Sequence, residues 1–323
     1  MNVSGTDFEN MRLIAHVLTL HYEEGRLQSQ IATELGLSSA KVNRLIKQGR
    51  ELGMVKITIN SPYQRLITLE NRLKTRWELQ NALVTPTVSG NIETTLQHVG
   101  ASAANHLLEN IRDGDIIAIT GGKGVSALVD NLGEDKSFNV TVVPLTGCVQ
   151  GKHYTDVNHV ATKLAEKLGG KAMLIHAPLF AETEEEKHML CSLRQIKEVL
   201  DLARSADIAL TGVGSILTPG SSYYDLHPIS ASDRKVLIKK GAVGEFVAHL
   251  IGDNGQLCDV QLNKRLVALE PEEVANIPKT VGIAAGGEKV EPVRAILNGQ
   301  YLSSLVVDET TANTALENNN EIL

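Results

Sequence analysis

The chain has 323 residues, a hydrophobic share of 42% and a formal net charge of −7, with a pI near 5.8. That is more than one average domain, and an acidic whole excludes a protein whose entire surface binds a polyanion. It leaves room for a local basic face. From Ala40 to Ile57 the charges are Lys41, Arg44, Lys47, Arg50 and Lys56 against Glu51 alone. Such a run is often only a solvated helix face. The three cysteines (Cys148, Cys191, Cys258) are odd in number and far apart, with no CxxC spacing, which points to a reducing compartment without disulfides. No apolar run of about 18 residues predicts a membrane span. The start, MNVSGTDFENMRL, is acidic and lacks the apolar core of a signal peptide. A cytoplasmic protein is expected.

The first organised stretch is QSQIATELGLSSAKVNRLIKQGRELGMV, from Gln28 to Val55. Ile31, Leu35, Leu37, Val42 and Leu45 fall at inward spacing. Ala32 is small where two helices approach, and Gly36 stands where a turn needs positive φ. This is the spacing of a helix-turn-helix. The outward residues of its second helix are Ser38, Ser39, Ala40, Asn43, Arg44 and Lys47, which are small, amide-bearing or basic as a major-groove surface requires. Ser38 or Ser39 caps that helix. A helical hairpin serving another purpose would tolerate the same core but would not need that outward face. Ser39, Asn43 and Arg44 are the expected base readers. Lys47, Arg50 and Lys56 are the expected phosphate contacts, which position rather than specify, and Lys41 belongs to the same basic face. Met54 to Ile59 alternates like a strand and predicts a small wing.

Ser61-Pro62 then breaks the pattern. From Gln64 to Leu79 one apolar helical face carries Leu66, Leu69, Leu73 and Trp77. It reads either as a linker helix making an oligomer contact or as a cap on the next domain. From Asn81 short apolar runs recur: ALVTP, DIIAIT, VTVVPL, AMLIHAP, ADIALTGVG, KRLVAL, KTVGIAAGG and LSSLVVD. Helical stretches separate most of them, which predicts a parallel sheet covered on both faces. Three segments follow: a (winged) helix-turn-helix over 1–60, a linker helix over 61–80 and an α/β effector-binding domain with a mostly parallel sheet over 81–323.

With these motifs in order, the chain resembles the SorC family of bacterial sugar-responsive transcriptional regulators over nearly its whole length. The resemblance rests on the helix-turn-helix stretch and on DGDIIAITGGKGVSALVDNL, VTVVPLTG, ARSADIALTGVG, KKGAVGEF, IPKTVGIAAGGEK and LSSLVVDETTA. It implies an effector domain similar in fold to sugar-phosphate isomerases and deaminases, control by a phosphorylated sugar or polyol, and dimers or tetramers.

The body's loops suit that role. In DIIAITGGKGVSALV a strand runs into Gly121, Gly122, Lys123 and Gly124, and a helix is predicted to begin near Val125 and Ser126. Glycines let backbone N–H groups approach an anion, and a helix N-terminus favours negative charge. A plain tight turn would look the same. Gly212 and Gly214 in TGVGS either line the pocket or simply end a strand. GAVGEF reads as a third loop, and the resemblance implies that Glu245 accepts sugar hydroxyls; a helix-cap or ion-pair role is the alternative. In AAGGEKVEP the resemblance implies that Lys289 contacts the phosphate, with Gly286 and Gly287 turning the chain beneath it. After VTVVPL, the residues Gln150, His153, Asn158 and His159 either face the sugar or pack beside it. His153, His159 and Cys148 fit no standard zinc spacing, so neither metal nor cofactor is expected. SSYYDLHPIS lies where a lid would. The expected function is an effector-controlled regulator that binds double-stranded operator DNA. A sugar-phosphate isomerase or deaminase is the alternative, although no Asp/Glu/His cluster gathers in one loop as a general base would need.

Overall fold

A computed structural model describes residues 5–55, 61, 63–88, 90–133, 137–149, 153–216 and 230–317. The chain divides into two units, Met1–Gln64 and Arg65–Leu323.

The N-terminal unit is helical. Its helices are α1 (Gly5–Tyr22), α2 (Gln28–Leu35) and α3 (Ser39–Glu51). Ile31, Ala32, Val42, Leu45 and Ile46 are buried against Ile14, Val17, Leu18 and Leu20 of α1. Burying each large aliphatic side chain stabilises the unit by about 1.5–3 kcal/mol. Gly36 ends α2 at φ 62° and ψ 33°. The N–H of Leu37 then returns to the Ala32 carbonyl at 2.8 Å, closing the helix end. Ser38 is the N-cap of α3, its hydroxyl accepting from the Lys41 N–H at 3.2 Å. Ser38, Ser39, Asn43, Arg44 and Lys47 are exposed on one side of α3, and Lys41 is half-buried. The predicted wing lies, from Lys56 on, outside the described residues.

The C-terminal unit opens with α4 (Gln64–Trp77), whose Leu66, Leu69 and Leu73 enter that unit's own core. The chain then runs β1 (Asn81–Thr85), α5 (Ile92–Asn110), β2 (Ile116–Ile119), α6 (Lys123–Asp130), β3 (Thr141–Pro144), α7 (Val157–Leu168) and β4 (Lys171–Ala172). Next come α8 (Glu184–Ser192), α9 (Arg194–Arg204), β5 (Ile208–Gly212), β6 (Gly214–Ser215), α10 (Ala231–Lys239), β7 (Ala242–Phe246) and β8 (His249–Gly252). Short helices α11 (Gln261–Lys264) and α12 (Pro271–Ala275) lead to β9 (Lys279–Ala284), a 3-10 turn (Gly287–Lys289), α13 (Val290–Asn298), β10 (Ser304–Asp308) and α14 (Glu309–Leu316).

Seven strands form one sheet in the order β1-β10-β9-β5-β2-β3-β4, and every pairing is parallel. The apolar runs are buried because helices cover both faces. The order reverses between β2 and β5, and such a switch point opens a crevice at the carboxyl ends of the strands. A second, antiparallel sheet, β6-β7-β8, stands beside that edge.

Three expectations change. GAVGEF is not a loop but strand β7, and alternate residues Ala242, Gly244 and Phe246 are buried. AMLIHAP is strand only at its first residue, because β4 is an edge strand and Met173 and Leu174 turn outward. KRLVAL joins no strand of the main sheet; Leu266 and Ala268 make isolated antiparallel bridges to Phe180 and Thr146.

Gly36→Val is expected to destabilise the N-terminal unit by about 1–2 kcal/mol, the cost of a left-handed backbone at a side-chain-bearing residue. Chemical denaturation followed by helical circular dichroism checks it.

Candidate functional site

The carboxyl ends of β2, β5 and β9 converge with β6 and β7 around a cavity of about 200 Å³. Its floor is backbone. After β2 the chain passes Thr120 into Gly121 and Gly122, and α6 begins at Lys123, two residues earlier than the sequence suggests. Gly122 has φ 115° and donates to the Tyr154 carbonyl at 2.6 Å. A Cβ on Gly121 would lie 2.6 Å from the Thr155 oxygen, and one on Gly124 2.9 Å from the Ile283 oxygen. The glycines therefore serve packing as well as access. The first-turn N–H groups of α6 have no acceptor in the helix, and Lys123 and Gly124 of that turn line the cavity at the positive end of the helix dipole.

Two side chains of opposite charge type line the cavity beside this floor. Lys289 closes the turn after β9, and Glu245 comes from β7. They exert a Coulombic pull on one another. Among the described residues, however, Lys289 makes no ion pair within 4 Å and no side-chain hydrogen bond. Burial pushes its ammonium down from the usual lysine range, and Lys123 adds to the push while Glu245 and Glu288 oppose it. Burial also pushes the Glu245 carboxyl up, against the Ala248 N–H, Lys289 and His249. Each charge is thus held where water solvates it poorly. Lys123 stands half-buried at the same rim with its Nζ 5.8 Å from the Tyr154 ring centroid.

Glu245 also builds a wall. Its Oε2 accepts from the Ala248 N–H at 2.9 Å. Val247 and Ala248, which both line the cavity, turn between β7 and β8 at φ 51° and 65°. Two-residue hairpin turns with positive φ normally use Asn or Gly, so this Val-Ala pair is strained. His249 steadies it: the ring Nδ1 lies 3.0 Å from the Val247 carbonyl oxygen and Nε2 lies 2.9 Å from Glu270 Oε2. The His249 contact, outweighing the cost of burial, holds the Glu270 carboxyl down at about 2. Gly214 lies directly against Glu245, where a Cβ would come within 1.9 Å of Oε1.

The chain's relatives agree with one another. Residues 61–317 match the family described as "Putative sugar-binding domain". The erythritol catabolism regulatory protein EryD of Brucella abortus is 31% identical over 295 residues, 91% of this chain and 92% of its own length. The chain belongs to the SorC family of sugar-binding transcriptional regulators. The sorbitol operon regulator of Klebsiella pneumoniae is 29% identical over 313 residues, 96% of this chain and 99% of its own. The crystal structure of the full-length sorbitol operon regulator SorC from that organism has a TM-score of 0.73 at 28% identity, covering 96% of this chain and 100% of that one. These relatives are regulators, not enzymes.

Of the ten residues that sequence singled out for the effector, the SorC-family cavity gathers eight: Gly121, Gly122, Lys123, Gly124, Gly212, Gly214, Glu245 and Lys289. Val125 is fully buried in the core, Ser126 donates its N–H to the Gly122 carbonyl at 3.0 Å, and neither lines the cavity. Gly286, at φ 107°, and Gly287, the first residue of the 3-10 turn, bring the chain round to Lys289, whose N–H donates to the Gly286 carbonyl at 2.9 Å. His153, Asn158 and His159 are not in the cavity wall. Asn158 bridges to the backbone of Ile175 at 2.8 and 3.1 Å, and the His153 and His159 rings lie 6.1 Å apart. Gln150 and the expected lid, apart from Ser230, lie outside the described residues. Among the described residues, no three His, Cys, Asp or Glu side chains gather as metal ligands. Sequence reading missed the apolar wall of Ile92, Leu96, Val213 and Val247, and the acidic rim of Glu93 and Glu288.

Ala248→Gly relieves a positive-φ residue at a site glycine adopts freely. It is expected to leave stability unchanged or raise it by up to about 1 kcal/mol, read from the urea midpoint.

Proposed function

We propose that this chain is a DNA-binding transcriptional regulator of a carbohydrate or polyol catabolic operon, working in the cytoplasm under the control of a phosphorylated sugar or polyol. The observation that carries the reading is Lys289, a half-buried ammonium without a carboxylate partner among the described residues, in one cavity with a glycine floor and the first residues of α6. Such a group is stabilised by an anion arriving with the ligand. In this reading the phosphate rests on the N–H groups of Gly121 and of Lys123 to Val125, with Gly122 shaping the turn and Ser126 behind them, between Lys289 and Lys123. Gly212 and Gly214 leave room for the carbon chain, and Glu245 accepts its hydroxyls. The apolar wall suits a short aliphatic backbone. The names of the relatives, regulators of sorbitol and erythritol genes, support the substrate class.

The head reads DNA through α3. Ser39, Asn43 and Arg44 reach base edges, and Ser38, Lys41 and Lys47 meet phosphates. One such head is a small interface, so the protein acts as a homo-oligomer, a dimer or a tetramer, on a palindromic operator. Effector binding shifts the balance between arrangements of the oligomer. By linkage, operator DNA changes effector affinity by the same factor.

The experiment is fluorescence anisotropy on DNA from upstream of the chain's own gene, across salt concentrations, with and without polyol and sugar phosphates. Affinity is expected to fall steeply with salt, and at least one phosphate is expected to shift it. Salt-insensitive or absent binding would overturn the reading. Arg44→Ala should weaken specific binding by about 1–3 kcal/mol, the worth of a base contact, with phosphate affinity unchanged by calorimetry. Lys289→Ala should abolish the phosphate response in the same titration while operator binding survives.

A further inference from the structure

Asp308 and Glu309 are consecutive residues that face different parts of the C-terminal unit. Asp308 ends β10 and is 1% exposed. Its carboxylate accepts four hydrogen bonds: from the Gly286 N–H at 2.8 Å, Thr87 Oγ1 at 2.8 Å, the Thr311 N–H at 3.1 Å and Thr311 Oγ1 at 2.7 Å. Gly286 is the residue that turns the chain from β9 toward Lys289. One buried carboxylate therefore anchors the loop that carries the cavity's cation.

Glu309 faces the other way. Its Oε1 accepts from Arg65 Nε at 2.7 Å. Arg65 stands in the first turn of α4 and is the first residue of the C-terminal unit, so Gln64 and the N-terminal head immediately precede it along the chain. The far end of α14 is clamped as well. Arg76 of α4 donates to the Leu316 carbonyl at 2.9 Å, and Arg294 of α13 donates to the Ala315 carbonyl at 3.1 Å. Helix α14 is thus a short, doubly held strut. A displacement of the Gly286–Lys289 loop reaches Asp308 through its hydrogen bond, and Glu309 is the next residue.

We propose that Asp308 and Glu309 form the joint through which the cavity acts on the head, Asp308 holding the anion loop and the Glu309–Arg65 ion pair passing its position to the start of α4. This rests on the reading of the cavity as the effector site. Neither Arg65 nor Glu309 lines that cavity. Their side chains are 63% and 26% exposed, and such pairs add little to stability. Breaking the pair should therefore spare the fold and the cavity and remove the coupling.

The test uses the full chain and three variants: R65E, E309R and the double swap. Anisotropy on DNA from upstream of its own gene gives the ratio of operator affinities with and without each probe. The probes are erythritol 4-phosphate, glucitol 6-phosphate, fructose 6-phosphate and inorganic phosphate. Calorimetry gives each probe's affinity directly. In each single variant the affinity of the probe that shifts the wild-type chain should stay within about twofold, while the operator ratio falls toward one from a wild-type factor of about fivefold or more. The double swap should restore most of the ratio, as a cycle on a direct contact requires. Singles that keep the wild-type ratio, or a double swap that stays uncoupled, would overturn the joint. A wild-type chain that binds operator but responds to no probe would instead overturn the effector reading, and the joint with it.

Discussion

A half-buried ammonium and a half-buried carboxyl group lining one small cavity are the constraint on which the C-terminal unit depends. Lys289 and Glu245 sit close enough to feel each other yet do not pair directly. Each has lost water, and neither has the close counter-ion that would repay the loss. That state is costly and persists only because the surroundings fix it. The turn after β9 holds Lys289 through Gly286 and Asp308. The strand pairing of Gly214 with Glu245 and the Ala248 N–H hold the carboxylate. The Val247–Ala248 turn carries strain of the kind that gathers at functional sites.

The same constraint explains the division of labour between the units. The parallel sheet places several strand ends at one edge, so loops distant in sequence meet around the glycine floor of the cavity without any one of them being long. The head needs none of this chemistry. Its three helices bury one compact cluster and leave a polar, basic face on α3. Binding energy gained in the cavity changes operator affinity only to the extent that it differs between arrangements of the whole protein. In the proposed joint, the hydrogen-bonded path from the Gly286–Lys289 turn through Asp308 and Glu309 to Arg65 gives that difference a physical route.

How legible this was in the sequence depended on how local the determinant is. The helix-turn-helix is written in residues a few positions apart: Ala32 at the crossing, Gly36 in the left-handed turn, Ser38 at the cap. All three hold those places. The parallel sheet was legible because its strands are continuous apolar runs. The β6-β7-β8 sheet was not, because glycine at Gly244 weakens the alternation in GAVGEF and makes a strand read as a loop. The Val247–Ala248 turn carries no Asn or Gly to announce it. Lys289 and the glycines at the cavity were found from their chemistry and from the family resemblance. Ile92 and Leu96 were missed because they belong to α5, whose side of the cavity is set by tertiary packing. Asp308 was visible only as part of a motif; one of its four hydrogen bonds reaches Thr87, more than 200 residues away, and another reaches the Gly286 turn.

The central claim is that the cavity is built for an anionic group, and the most direct measurement is calorimetric. The full chain would be titrated with erythritol, glucitol and fructose, each beside its terminal phosphate ester. Two cations and a helix N-terminus on one phosphate, with charge-assisted hydrogen bonds of about 1.5–3 kcal/mol each, predict that at least one ester binds roughly a hundredfold or more tighter than its parent. Esters that bind no better than their parents, in every pair, would contradict the account.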